Sequence, residues 1–169
     1  VYVADAIAGR VWLLGGTPLT VTADDIVFLN GVLYASYGSV VRQVNAFGGA
    51  IEFAGSSQPF LGDGGPALQA RLNHPAGIAA DTIGNLYIAD SAHHVIRKVD
   101  KDGRISTVAG TGQDGDAPDG AFALDTPFRS PESITVDAAG NLYVADSATG
   151  KVRRVDRNGR VSTMAQSLD

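Results

Sequence analysis

Cysteine is absent from the 169 residues, which excludes disulfides and thiolate-bound metals but leaves the compartment open. Long apolar runs are absent too. Residues 11–14 and 26–29 are among the longest, far short of the roughly 18 residues that span a bilayer, so no membrane span is expected. Basic excess is likewise missing: 13 Lys and Arg stand against 18 Asp and Glu, giving a net charge of -5 and a sequence pI near 5.0. Nucleic-acid partners are therefore disfavoured, because affinity for phosphate backbones comes mainly from clustered cations. No signal peptide is visible and the first residue is Val1, so the expectation is a processed start or a piece of something longer.

What the chain has in quantity is glycine, 21 residues of it, and a long internal repeat. Residues 75–109 and 131–165 are one unit written twice without a gap. Ile78, Asp81, Gly84-Asn85-Leu86-Tyr87, Ala89-Asp90-Ser91-Ala92, Arg97, Val99-Asp100, Gly103-Arg104 and Ser106-Thr107 each recur 56 positions later. Repetition at a fixed period of roughly 40–60 residues, built from short strands, marks a propeller or array in place of a single-core domain.

Within the unit the strand signals come in a fixed order. A short apolar run at 76–80 ends in the turn Asp81-Thr82-Ile83-Gly84, and 85–90 and 95–100 read as the next two strands. The Asp102-Gly103 pair supplies positive φ cheaply, so 104–109 folds back as a fourth. The second copy reads 132–136, 141–146, 151–156 and 160–165. A more diverged copy precedes both, at 26–30, 32–36, 40–45 and 50–54. At the N-terminus Val1-Tyr2-Val3-Ala4-Asp5 matches residues 142–146, so the chain enters a blade at its second strand, with 19–22 expected as that blade's outer strand. The expected fold class is all-β: a β-propeller segment of four-stranded antiparallel blades, three full blades plus three strands of another. The blades fall at about 1–23 (partial), 25–55, 75–110 and 131–166, in one domain.

Those residues resemble the NHL repeat, in the long form found in bacteria and archaea. The resemblance is carried by Gly62-Asp63-Gly64-Gly65-Pro66-Ala67, Leu72-Asn73-His74-Pro75-Ala76-Gly77-Ile78, Gly84-Asn85-Leu86-Tyr87-Ile88-Ala89-Asp90, Ile96-Arg97-Lys98-Val99 and Thr107-Val108-Ala109-Gly110. It implies a β-propeller, most often six-bladed, and implies little about activity, since one fold carries many functions.

Several residue groups invite a functional reading, each beside a structural one. Asp90 and Asp146 with Arg97 and Arg153 form the best recurrent polar set; neighbouring strands would let each Asp meet an Arg, and a charge-assisted bond repeated per blade would fix packing. Tyr34, Tyr87 and Tyr143 recur with the blade and are expected to pack between blades. Asp114, Asp116, Asp119 and Asp125 cluster in the connection 111–130, and hard cations take such oxygens, so calcium is a weak candidate. Their spacing does not match an EF-hand loop, with Pro118 where the third ligand belongs, and solvated loop acids are the expectation. His93 and His94, if extended, point to opposite faces and would not share a metal. The connections 56–74 and 111–130 are long and align, Asp63-Gly64 over Asp119-Gly120 and Ala67-Leu68 over Ala123-Leu124, which suggests packing over the blade edge.

No Gly-x-Ser-x-Gly elbow, phosphate loop or nucleophile arrangement is present. The expected role is a non-enzymatic repeat scaffold for protein interaction or structural self-assembly, extracellular or at the cell surface, with no cofactor. Its partners would be proteins, and two readings stay open: the chain is part of a longer propeller whose remaining blades lie elsewhere, or copies of it complete the open propeller, since an end blade with an open face and unpaired edges suits strand donation or a head-to-tail assembly, closed or filamentous. The enzyme alternative, a lyase or hydrolase with a metal in the central channel, calls for polar residues on the inner strands, where the sequence offers Asp81, Asp137 and Glu132.

Overall fold

The computed structural model describes residues 2–5, 10–13, 21–45, 49–56 and 62–167. Fourteen strands are present among them: β1 (Tyr2–Asp5), β2 (Arg10–Leu13), β3 (Asp25–Leu29), β4 (Val32–Tyr37), β5 (Val40–Val44), β6 (Ala50–Ala54), β7 (Pro75–Ala80), β8 (Leu86–Asp90), β9 (Val95–Val99), β10 (Ile105–Ala109), β11 (Pro131–Val136), β12 (Leu142–Asp146), β13 (Lys151–Val155) and β14 (Val161–Gln166). Twelve of them form three four-stranded sheets in plain up-and-down order, β3-β4-β5-β6, β7-β8-β9-β10 and β11-β12-β13-β14, while β1 pairs with β2. The outer strand expected at 19–22 falls partly on Leu19 and Thr20, outside the described residues, and Val21 and Thr22 lie in no strand.

Every pairing within a sheet is antiparallel, as short connections between successive strands require. Turn chemistry places those ends. Asp100 accepts the amides of Asp102 and Arg104 through one carboxylate oxygen, and Asp156 does the same for Asn158 and Arg160, the local bonding that makes Asp a turn residue. This draws Arg104 and Arg160 into the turn and starts the fourth strand one residue later than the pattern predicts. A register shift also interrupts each four-stranded sheet where the third and fourth strands pair, between Thr107 and Ala109 in the middle one.

The core lies between sheets, not within one. Tyr34, Val41 and Ala54 of one blade meet Ile78, Leu86, Ile88, Val99 and Ile105 of the next; Tyr87, Ile96 and Ala109 of that blade meet Ile134, Leu142, Val144, Val155 and Val161. Into each joint the preceding long connection inserts a plug, Ala67, Ala70 and Leu72 in one case and Ala123 and Phe128 in the other. Each plug includes a single 3-10 turn, Ala67–Gln69 or Ala123–Asp125. Sandwiched in this way, all five residues of β8 are buried on both faces. A fully buried Ile such as Ile88 contributes about 1.5–3 kcal/mol relative to exposure, and the repeated joints sum such terms.

Candidate functional site

The long connections are tied to the blades they lead into by buried arginines. Arg97, on β9, is nearly inaccessible to solvent, and its Nη2 donates to Asp63 at 2.5 Å, while Nη1 lies 3.7 Å from the Asp90 carboxylate. Asp63 also accepts from the amide and hydroxyl of Thr107, both at 3.2 Å. One repeat later the same frame recurs: Asp119 accepts from the amide and hydroxyl of Thr163 at 2.9 and 2.8 Å. Arg104 and Arg160 add bonds to the carbonyls of Gly64 and Gly120 at 2.9 and 2.7 Å.

The expected pairing of Asp146 with Arg153 is not what forms. Arg153 donates to Asp116 at 3.0 Å and to the Ala117 carbonyl at 2.9 Å, with Asp119 at 3.8 Å. Asp146 instead accepts the backbone amides of Arg129 and Ser130, the latter at 2.6 Å. Register does not separate the two cases, since Asp90 and Arg97 are offset in the same way, Ile88 pairing with Arg97 and Asp90 with Val95; what differs is Lys151 in place of Val95, which shares Asp116 with Arg153. Asp90 keeps both connections, accepting the Asn73 amide at 2.7 Å and bonding His93 Nδ1 at 2.9 Å. Burial raises its pKa, opposed by those two partners and Arg97.

Three of the four acids weighed as calcium ligands, Asp114, Asp116 and Asp119, face cations of the chain itself. Asp114 pairs with Arg129 at 3.0 Å, and Asp116 holds both Lys151 and Arg153. The Lys151 hydrogen bond comes first among the causes that hold the Asp116 carboxyl below its ordinary value, and the Thr163 amide does the same for Asp119. No group of three or more His, Asp or Glu side chains converges for a metal among the described residues. The sequence signal for the Asp116 pair is Lys151, which stands where the earlier copy has Val95 and brings a second cation to the Arg153 site.

His93 and His94 are not extended. Ser91–His93 is a 3-10 turn and His94 follows at φ 58, so the rings separate through a turn, His93 to Asp90 and His94 Nδ1 to the Arg129 carbonyl at 2.9 Å. The tyrosines serve the turns as well as the joints. Asp81 accepts from Asn85 and from the Tyr87 hydroxyl, and Asp137 from Asn141 and the Tyr143 hydroxyl. Burial, then the Asp81 charge, pushes the Tyr87 hydroxyl up to about 12. The Asn141 side chain, first among several hydrogen bonds, lowers Asp137 to about 2.

Between inner strands lies a cleft of about 490 Å³ lined by Asp24, Asp25, His74, Ala76, Gly77, Glu132 and Ser133. Asp25 is already used there: one carboxylate oxygen accepts the Ile26 amide and the other reaches across to the Ile78 amide, each at 2.8 Å. Glu132 accepts from the Ser130 hydroxyl. Two further bonds cross between blades at this level, Ser36 Oγ to the Ala76 carbonyl at 2.6 Å and Ser91 Oγ to the Pro131 carbonyl at 2.5 Å. Sequence reasoning passed over these serines because a hydroxyl carries no signal until its acceptor is in place.

Residues 48–118 match the model of the teneurin NHL domain. The chain is 32% identical over 144 residues to NHL repeat-containing protein 2 of Gallus gallus, covering 79% of this chain and 20% of that protein. A crystal structure of a protein of unknown function from Bacteroides thetaiotaomicron aligns with TM-score 0.66 and 29% identity, over 82% of this chain and 34% of that one. A virginiamycin B lyase from Staphylococcus aureus aligns with TM-score 0.63 over 96% of this chain and 50% of that one, at 15% identity, a likeness of fold alone. The chain thus spans a fifth of the length of the first relative and half or less of these structures.

Proposed function

Because the chain belongs to the NHL-repeat β-propeller family, we propose that it is a non-enzymatic scaffold for protein interaction, working outside the cell and counting copies of itself among its partners. The observation that carries this reading is the employment of its polar groups. Asp63 and Asp116 hold arginines, Asp119 holds the amide and hydroxyl of Thr163, Asp81 and Asp137 hold turns, and Asp25 holds one blade to the next. Apolar side chains recur on the surface beside the charged ones: Leu68 and Leu124, one repeat apart, are both more than half exposed, and exposed apolar groups are what protein partners cover where they gather into a patch.

Light scattering with electron microscopy tests the self-assembly part. The expected result is mass that rises with concentration, as rings or fibres; monodisperse monomers throughout would overturn it. A competing reading, a lyase or hydrolase, rests on the His74, Asp25 and Glu132 cleft. Elemental analysis of purified protein separates the two, since stoichiometric bound metal favours the enzyme.

A further inference from the structure

We propose that the outer edge of β6 is a docking site for an extended segment of a protein partner, which adds antiparallel to it as a further strand and lays an asparagine or glutamine side chain against Arg42 and Glu52. The proposal deepens the scaffold reading and rests on it. Its template is inside the molecule, on the outer edges of the other two four-stranded sheets. Residues 62–66 run antiparallel along the start of β10: the Gly64 amide donates to the Ile105 carbonyl at 2.8 Å, the Ile105 amide donates to the Gly65 carbonyl at 3.0 Å, and the Asp63 carboxylate takes the Thr107 amide. On β14, Gly120, Ala121 and Asp119 repeat those bonds to Val161 and Thr163. A bare sheet edge invites pairing by another strand, and these two edges are covered.

The edge of β6 is not. Its pairing with β5 sets Ala50 opposite Val44 and Glu52 opposite Arg42, just as Ile105 stands opposite Val99 and Thr107 opposite Arg97, so Ala50 and Glu52 are the residues whose amides point outward. Among the described residues nothing bonds to either of them on that side. Residues 21–24, which lead into β3, turn Val21 and Ala23 into the core against Leu33, Ala35 and Val44. Ala50, Ile51 and Glu52 are accordingly exposed, whereas the matching Ile105 is wholly buried. Beside this edge opens a cleft of about 630 Å³ whose lining includes Val40, Glu52, Arg71 and Asn73. The cleft at the matching Val95 and Thr107 is lined by Asp63 and Arg97.

Charge identifies the side chain that the docked segment carries. Arg97 brings one cation to its covering segment, which answers with Asp63; Lys151 and Arg153 bring two, which meet Asp116 and Asp119. Arg42, half-buried at the matching position, pairs with no acid among the described residues. It stands opposite an acid of its own sheet, Glu52, where the other two sheets have Thr107 and Thr163. A further carboxylate there would face Glu52 as a like charge, whereas a primary amide accepts from the guanidinium through its oxygen and donates to the carboxylate through its nitrogen. The residue after that amide must offer a main-chain N–H to the Ala50 carbonyl, which excludes proline, and the next must offer a carbonyl to the Ala50 amide.

The probe is the capped peptide Gly-Asn-Gly-Gly-Pro-Ala-Leu, which copies residues 62–68 with asparagine in place of Asp63. It is titrated into the isotope-labelled chain and followed by NMR, at protein concentrations where light scattering gives monomers. Saturable shifts are expected at the amides of Ala50 and Glu52, while the Thr107 amide, already bonded to Asp63, stays unmoved. The same peptide with aspartate should bind about fivefold more weakly, and Glu52→Gln should reverse that preference, since Arg42 then faces no acid of its own sheet. Glu52→Pro deletes one of the two edge amides and should abolish binding; unchanged amide positions in β7–β14 show that this variant is folded, as an edge strand allows. No shift at Ala50 or Glu52 up to about 5 mM peptide, or an asparagine preference that survives Glu52→Gln, overturns the proposal. Peptide bound to a chain that never self-associates would sink the self-association reading alone, and assembly of a chain whose β6 edge stays silent would sink this inference alone.

Discussion

Arg97 and Asp63 meet at 2.5 Å across 34 residues of chain, and the contact fastens the long connection to the third strand of the blade it leads into. Asp63 is about half exposed while Arg97 is buried, so the penalty for losing the acid falls mainly on the arginine, left with Asp90 at 3.7 Å as its nearest carboxylate among the pairs described. Asp63→Ala is expected to cost about 1.5–3 kcal/mol, the range for a hydrogen bond to a charged group. Urea unfolding measures it, and an unchanged midpoint would show the clamp to be decorative.

Phe128 is fully buried in the plug between the second and third four-stranded sheets. Truncation to alanine leaves a cavity that its neighbours fill poorly, and about 3–5 kcal/mol of stability should go with it. Leu124, four residues earlier and exposed, is the internal control. Leu124→Ser should move the midpoint by no more than about 0.5 kcal/mol, and equal losses at the two positions would contradict the plug.

Gly77 is required by proximity, not by its own backbone angles. A Cβ there would stand 2.7 Å from the Glu132 carbonyl oxygen and 2.8 Å from the Ser133 Cα, backbone atoms that cannot step aside singly. Gly77→Ala should force the inner strands apart and cost about 1–3 kcal/mol, as overpacking does. Thermal unfolding reads the loss. A variant as stable as the parent would mean that the blades slide freely past each other.

Acid should weaken the turn built on Asp137. Its folded pKa of about 2 lies below the ordinary 3.8, so the stabilisation is complete above that ordinary value and drains away as pH falls towards 2. Asp25 and Asp90, raised by burial, act in the opposite sense, which is why the comparison is made between variants. The drop in melting temperature between about pH 5 and about pH 2.5 should be smaller in Asp137→Asn than in the parent. At the alkaline end, Tyr87 stabilisation is full below its ordinary 10 and is lost as pH rises towards 12, so Tyr87→Phe should flatten that limb. An identical acid slope in parent and Asp137→Asn would remove the carboxylate from the account.

Much of the fold was legible because the repeat states it twice. Ile78 over Ile134 and Asp63 over Asp119 could be aligned by eye, and both pairs do equivalent jobs in space. Partners across strands were harder to read. Asp90 with Arg97 and Asp146 with Arg153 look alike in sequence, yet Lys151 in place of Val95 adds a cation and Asp116 comes in to meet it. A period fixes which residues are equivalent; it does not say which of several nearby acids an arginine will choose. The serine crossings were invisible for a related reason, since Ser36 and Ser91 occupy different positions in their blades yet reach the start of the same kind of strand.

The plugs have a geometrical consequence. At the joint from β7–β10 to β11–β14, the inner edge is as thin as it can be, with Gly77 against Glu132 and Ser133, while Phe128 fills the interior farther out. At the joint before it, Asp25 spans the inner edge and the smaller Leu72 takes the place of Phe128. Close-packed sheets do not leave such a difference as empty space, so the joint with Gly77 inside and Phe128 outside is expected to bend more sharply than the one with Asp25 and Leu72. Curvature along these sheets need not be uniform, because inner and outer fillings differ from joint to joint.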